Sequence, residues 1–183
     1  MCGFVGLCKK NKLEISEINR ILKISEKLRH RGPNQKGFWN NDNIFFAHRR
    51  LSINDLSDSG NQPMISASGR YIIIYNGEIY NFLNLRKDLE NDGIKLSGRS
   101  DTEVILCLID KLGLEKTIKK LNGMFAFALY DKKLNRIYLI RDNTGQKPLY
   151  FSIDNKTLFF TSELKGLEFS GIKTKISQEA VSL

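Results

Sequence analysis

The 183-residue chain is 41% hydrophobic and 27% charged, the balance of a soluble globular domain large enough for its own core. Its net charge of +9 raises the question of nucleic acid, yet the basic residues lie scattered in pairs such as Lys9-Lys10, Arg49-Arg50, Lys119-Lys120 and Lys132-Lys133. There is no arginine-rich helix, no apolar run near the ~20 residues of a membrane span and no signal-peptide pattern, so nucleic acid and membrane are excluded as expected partners and the cytoplasm is the default location. Cys2, Cys8 and Cys107 are odd in number and lack CxxC spacing, which argues against a disulfide framework or a zinc site.

In chain order, residues 2–8 predict a short apolar strand. Ser16 is placed to cap a helix through about Arg29, with Ile18, Ile21, Leu22, Ser25 and Leu28 on one face, and Gly32-Pro33 stops it. Residues 44–50 and 70–75 read as strands, the second marked by Tyr71-Ile72-Ile73-Ile74-Tyr75, with a loop over 58–63 between them. Asn81 opens a helix ending at Gly93. Ser100-Asp101-Thr102-Glu103 has capping-box spacing before a helix that Gly113 closes. Residues 124–130 and 136–140 form a hairpin, and residues 148–153 and 157–161 a second one. The last dozen residues read as a terminal extension. Many strands are apolar on both faces, which suits two sheets sandwiched between helix layers, and the chain reads as one domain.

Met1-Cys2 is the most informative dipeptide. Removing Met1 would leave a cysteine whose thiol is a nucleophile and whose free α-amine, with an ordinary pKa near ~8, can act as a base at neutrality. The plain alternative is that Cys2 merely begins a strand. Elsewhere the chain carries groups suited to holding an amino acid. In Arg49-Arg50-Leu51-Ser52-Ile53 a strand-end guanidinium can grip a carboxylate bidentately. Asn76-Gly77-Glu78 follows the apolar isoleucine run, where a side-chain amide and a backbone N–H can converge as an oxyanion hole; alone it reads equally as a turn. Asp101 can hold an ammonium, cap a helix, or both. His30 or Arg31 is a candidate to order a loop over such a site, though a lone histidine is more often structural.

Taken together, Met1-Cys2-Gly3-Phe4-Val5-Gly6, Arg29-His30-Arg31-Gly32-Pro33, Ala47-His48-Arg49-Arg50-Leu51-Ser52-Ile53, Gln62-Pro63-Met64, Tyr75-Asn76-Gly77-Glu78-Ile79-Tyr80-Asn81, Ser100-Asp101-Thr102-Glu103, Gly123-Met124-Phe125-Ala126-Phe127 and Lys147-Pro148-Leu149-Tyr150 resemble the glutaminase domain of class II glutamine amidotransferases. Within that family the chain looks most like glutamine-hydrolysing asparagine synthetase. The resemblance spans nearly the whole chain. It implies the α+β, four-layer αββα sandwich of N-terminal-nucleophile hydrolases over residues 1–183. It implies Cys2 as nucleophile, Asn76 and Gly77 as oxyanion hole, Arg50 on the α-carboxylate of glutamine, Asp101 on its α-amine, and Ile53 and Glu78 lining the same pocket.

The implied activity is hydrolysis of glutamine to glutamate and ammonia. The implied partners are glutamine and a synthetase domain or subunit that receives the ammonia, with a homo-oligomer also possible. No cofactor is expected for this domain. ATP and magnesium belong to a synthetase domain absent from this chain, for neither a Ser-Gly-Gly-rich pyrophosphate loop nor GxxxxGK[ST] is present. The stretch from Arg141 to Gln146 departs most from the family pattern. Two other readings stay open: a non-catalytic domain that regulates a synthetase, and the glutaminase of another class II amidotransferase serving sugar or purine synthesis.

Overall fold

A computed structural model of the chain describes residues 2–53, 55–171 and 179. Strands β1 (Gly3–Lys9), β2 (Gln35–Asn40), β3 (Ile44–Arg50), β8 (Tyr150–Asp154) and β9 (Thr157–Thr161) form one antiparallel sheet in the order β2-β3-β1-β9-β8. A second antiparallel sheet, ordered β4-β5-β6-β7, comprises β4 (Met64–Ile65), β5 (Tyr71–Ile79), β6 (Gly123–Asp131) and β7 (Arg136–Arg141).

The alternation of side chains along a strand sorts these residues into three apolar layers. Val5, Leu7, Phe45, Ala47 and Phe159 face outward from the first sheet onto helices α1 (Ile15–Lys27) and α5 (Leu164–Phe169), where Ile21, Ile24, Leu28 and Leu167 meet them. Their neighbours Phe4, Ile44, Phe46 and Phe160 point the other way, against Ile72, Ile74, Ala126 and Ala128 of the second sheet. The far face of that sheet packs Ile73, Tyr75, Phe125, Phe127 and Leu129 on helices α2 (Phe82–Asn91) and α3 (Asp101–Leu112). A short helix α4 (Leu114–Ile118) follows α3. The stacking is helix, sheet, sheet, helix, which is the αββα sandwich expected. Phe4, Phe46, Phe160, Ile72 and Ile74 have no exposed surface. Each such side chain contributes about 1.5–3 kcal/mol of burial.

Several local expectations need correction. Helix α1 starts at Ile15 with Glu14, not Ser16, at its N-cap. The Glu17 carboxylate accepts the Glu14 N–H at 2.8 Å there. Its buried stripe takes Ile24 rather than Leu22, which is 36% exposed. Asn81 stands at the N-cap of α2, but its amide donates to the Lys120 carbonyl and accepts from the Asn122 N–H instead of capping. At α3 the Ser100 hydroxyl accepts the Glu103 N–H at 3.3 Å as expected, while the Glu103 carboxylate turns to the N–H groups of Ser97 and Gly98. Strands β2 and β4 and helices α4 and α5 were not foreseen. The terminal extension predicted for the last dozen residues lies outside the described residues, except at position 179.

Candidate active site

The inter-sheet layer turns polar at one end of the sandwich. On β3 the face that carries Ile44 and Phe46 continues to His48 and Arg50. On β5 the face that carries Ile72 and Ile74 continues to Asn76 and Glu78. Cys2 precedes β1 and shares the parity of Phe4. Pairing of Gly3 with Arg49, and of Gly77 with Phe125, aligns these strand ends. They enclose a cleft lined by Cys2, Arg50, Ile53, Asn76, Gly77, Glu78 and Asp101, which brings together the residues expected to act on or hold the substrate. A roomier groove of about 700 Å³ lies between α1, β8 and β9 and gathers none of them.

Asn76, Gly77 and Glu78 sit inside β5, opposite Ala126, Phe125 and Met124, rather than beyond its end as expected. Gly77 permits the close approach of β6, because a Cβ there would lie 2.4 Å from the Met124 carbonyl oxygen. Asn76 is 1% exposed, and neither Oδ1 nor Nδ2 has a hydrogen-bond partner among the described residues. An unpaired buried polar group costs about 1–3 kcal/mol, so this amide is held at an energetic loss inside the cleft.

The half-buried Cys2 thiol accepts the Leu51 N–H at 3.4 Å and lies 3.7 Å from the Leu51 carbonyl. Burial pushes its thiol up, against the pull of the Leu51 peptide and the nearby Arg50 guanidinium. The thiolate therefore needs a base beside it. Arg50 is 7% exposed and held from below. Its Nη1 donates to the Ser57 carbonyl and Asn61 Oδ1, both at 2.8 Å, and its Nη2 donates to the Asp55 carbonyl. Asp55 in turn folds this loop, taking N–H or hydroxyl donors from Ser57, Ser59 and Arg99. Gly60 closes it, since a Cβ there would stand 2.1 Å from Arg50 Nη2. Ile53 is 64% exposed at the rim.

Asp101 opens α3 and is 6% exposed. Its Oδ2 accepts the Tyr75 hydroxyl at 2.6 Å and the Ile79 N–H at 3.1 Å. Burial pushes its carboxyl up, and these donors pull it back in part. His30 and Arg31 do not line the cleft. Both bond to Glu163, at 2.9 and 3.3 Å, and tie the turn after α1 to the start of α5.

Gln62, Tyr75 and Lys147 are among the further residues that line the cleft without having been given roles. Gln62 Oε1 accepts the Tyr75 N–H at 2.6 Å, and its Nε2 donates to Thr102 Oγ1 at 3.2 Å. Lys147 is 3% exposed, and burial pushes its ammonium down. The Asp142 carboxylate fixes its loop by accepting the N–H groups of Phe125, Gln146 and Lys147. The signal for such residues was present: polar side chains at inward positions of otherwise apolar strands, or flanking them. Among the described residues no group of three or more His, Cys, Asp or Glu is placed to hold a metal ion.

A thiol, a buried orphan amide, an anchored guanidinium and a carboxylate meet in this one inter-sheet cleft. A family model described as a glutamine amidotransferase domain matches residues 1–183. The chain belongs to this family. As a glutamine amidotransferase domain it is 38% identical, over 183 residues, to Bacillus subtilis asparagine synthetase (glutamine-hydrolyzing) 1, covering 99% of this chain and 29% of the relative. It is also 38% identical to the putative asparagine synthetase (glutamine-hydrolyzing) 2 of Methanocaldococcus jannaschii, covering 100% of this chain and 38% of that protein. The chain thus spans well under half the length of these relatives. Among solved structures, the glutamine phosphoribosylpyrophosphate amidotransferase of B. subtilis superposes with a TM-score of 0.79 at 19% identity, over 93% of this chain and 44% of that one. That match carries the αββα fold.

Proposed function

We propose that this glutamine amidotransferase domain hydrolyses the side-chain amide of glutamine to glutamate and ammonia. The observation that carries the reading is the Asn76 amide, buried and unpartnered in the cleft that holds Cys2. A donor kept without a partner in the resting protein is one reserved for charge that develops during reaction.

In this reading Met1 is removed and the α-amine of Cys2 serves as the base that the buried thiol needs. Arg50 pairs with the substrate α-carboxylate and Asp101 with the α-ammonium, with Glu78 and the Ile53 rim completing the pocket. Cys2 Sγ attacks the amide carbon and the C=O electrons move onto oxygen, facing the Asn76 Nδ2–H and the Gly77 N–H. The thiol proton, taken up by the α-amine, passes to the leaving nitrogen. The C–N bond breaks and ammonia departs, leaving a thioester. Water, deprotonated by the same amine, then releases glutamate and restores the thiol.

The relatives' names support a further step, in which a synthetase domain or subunit consumes the ammonia. The deciding experiment is an ammonia and glutamate assay on the purified chain with glutamine, beside Cys2→Ala. Stoichiometric glutamate and ammonia from the parent and none from the variant is expected. Equal turnover by both would remove Cys2 from the reaction.

A further inference from the structure

Tyr75 presents three polar groups, and each is taken by a different part of the site. Its hydroxyl donates to Asp101 Oδ2 at 2.6 Å, its N–H donates to Gln62 Oε1 at 2.6 Å, and its carbonyl accepts from His48 Nε2 at 3.0 Å. The residue is 3% exposed, so none of these bonds is easily replaced by water. Its carbonyl belongs to the same peptide unit as the Asn76 N–H. Alternation on β5 then puts the Tyr75 ring toward α3 and the Asn76 amide between the sheets. His48 lies on the inter-sheet face of β3 and is itself 1% exposed. Its Nε2 donates to the Tyr75 carbonyl, and burial holds the ring neutral, with a pKa of about 4.

We propose that Tyr75 is a positioning residue joining the two ends of the glutamine cleft: its phenol aims Asp101, and its peptide groups, gripped by Gln62 and His48, aim the Asn76 amide. This rests on the glutaminase reading above and assigns to it the residue that couples amine recognition to oxyanion stabilisation. Tyr75 and Ile79 both occupy Asp101 Oδ2, and the proposal assigns the substrate ammonium to the other carboxylate oxygen. Burial pushes the Asp101 carboxyl up and the phenol pulls it down. Around it stand Cys2, Arg50, Glu78 and Lys147 across the cleft, and Glu103 on its own helix, whose carboxylate is engaged by Ser97 and Gly98.

The test measures glutamine binding by calorimetry across pH on the full chain carrying Cys2→Ala, with and without Tyr75→Phe, so that turnover plays no part. Removing one hydrogen bond to a carboxylate should weaken glutamine by about tenfold near neutrality. Only ionised Asp101 holds the ammonium. With the phenol gone the carboxyl protonates more readily, so the acid-side loss of binding should begin at higher pH. On an Asp101→Asn background, Tyr75→Phe should cost nothing more. In the enzyme with Cys2 intact, His48→Leu should lower kcat while leaving KM within about twofold. Unchanged affinity and pH midpoint for Tyr75→Phe would overturn the assignment, as would an equal loss on the Asp101→Asn background, which would mean simple packing. Failure of the Cys2→Ala parent to bind glutamine at all would instead overturn the glutaminase reading beneath it.

Discussion

Replacing Asn76 by alanine should separate activity from stability, lowering the first while leaving the second nearly unchanged or higher. The amide is 1% exposed and neither of its polar atoms has a partner among the described residues. Each unsatisfied group costs about 1–3 kcal/mol in the resting fold, and truncation relieves both at the expense of a small cavity. Stability should therefore stay within about 1 kcal/mol of the parent or rise. For a domain of this size that keeps Tm no more than about 2–4 °C below the parent. The same change deletes one donor to the developing oxyanion, which should lower kcat by about 10²–10³ with KM little changed. Urea unfolding and steady-state ammonia release on the same preparations measure the two effects. A kcat near that of the parent would remove Asn76 from the oxyanion hole. A stability loss above about 2 kcal/mol would show the amide to be bonded in the resting fold.

Gly60→Ala should raise KM for glutamine while sparing kcat, because a Cβ 2.1 Å from Arg50 Nη2 displaces the guanidinium without removing it; steady-state kinetics checks this. The purified chain should release ammonia from glutamine without ATP and make no amidated product with ATP and aspartate, as chromatography of the products would show. Asp142 gives an acid-stability signature. Burial pushes its carboxyl up, but the Lys147, Gln146 and Phe125 N–H groups overcome this and hold it at about 2, against an unfolded value near ~3.9. A depressed folded value means stability that is present above pH ~4 and lost as pH falls toward 2. Asp142→Asn should unfold more easily at neutrality and show a flatter acid limb in urea titrations.

Cys2, Arg50, Asn76 and Asp101 each stood out in the sequence as polar groups beside apolar strands or at a helix start, and the fold brings them to one cleft. Strand β5 was cut short at Tyr75 because Asn76-Gly77-Glu78 ends the apolar run, whereas the main-chain ladder continues to Ile79 opposite Gly123 whatever the side chains are. Strand β2 escaped notice because Gln35, Lys36 and Asn40 dilute it, and its exposure alternates along an edge of the sheet. Of the stretch over 55–63 only 58–63 read as a loop, and as simple punctuation. The work of that stretch, presenting carbonyls to Arg50, depends on tertiary hydrogen bonds that no local pattern encodes. Tyr75 was hidden in the opposite way: as part of an isoleucine-rich run it read as core, and its ring does pack there, while its three polar groups serve the cleft.

The most direct measurement labels the purified chain with a glutamine-like electrophile and maps the adduct by mass spectrometry. Burial pushes the half-buried Cys8 thiol up, and burial with nearby Glu103 and Asp110 pushes the Cys107 thiol to about 11, so neither competes well as a thiolate. The expected result is a single adduct on a peptide that begins at Cys2, without Met1, formed in step with loss of glutamine hydrolysis. An adduct on Cys8 or Cys107, or full hydrolytic activity in a chain that still carries Met1, would contradict the N-terminal cysteine as nucleophile and base.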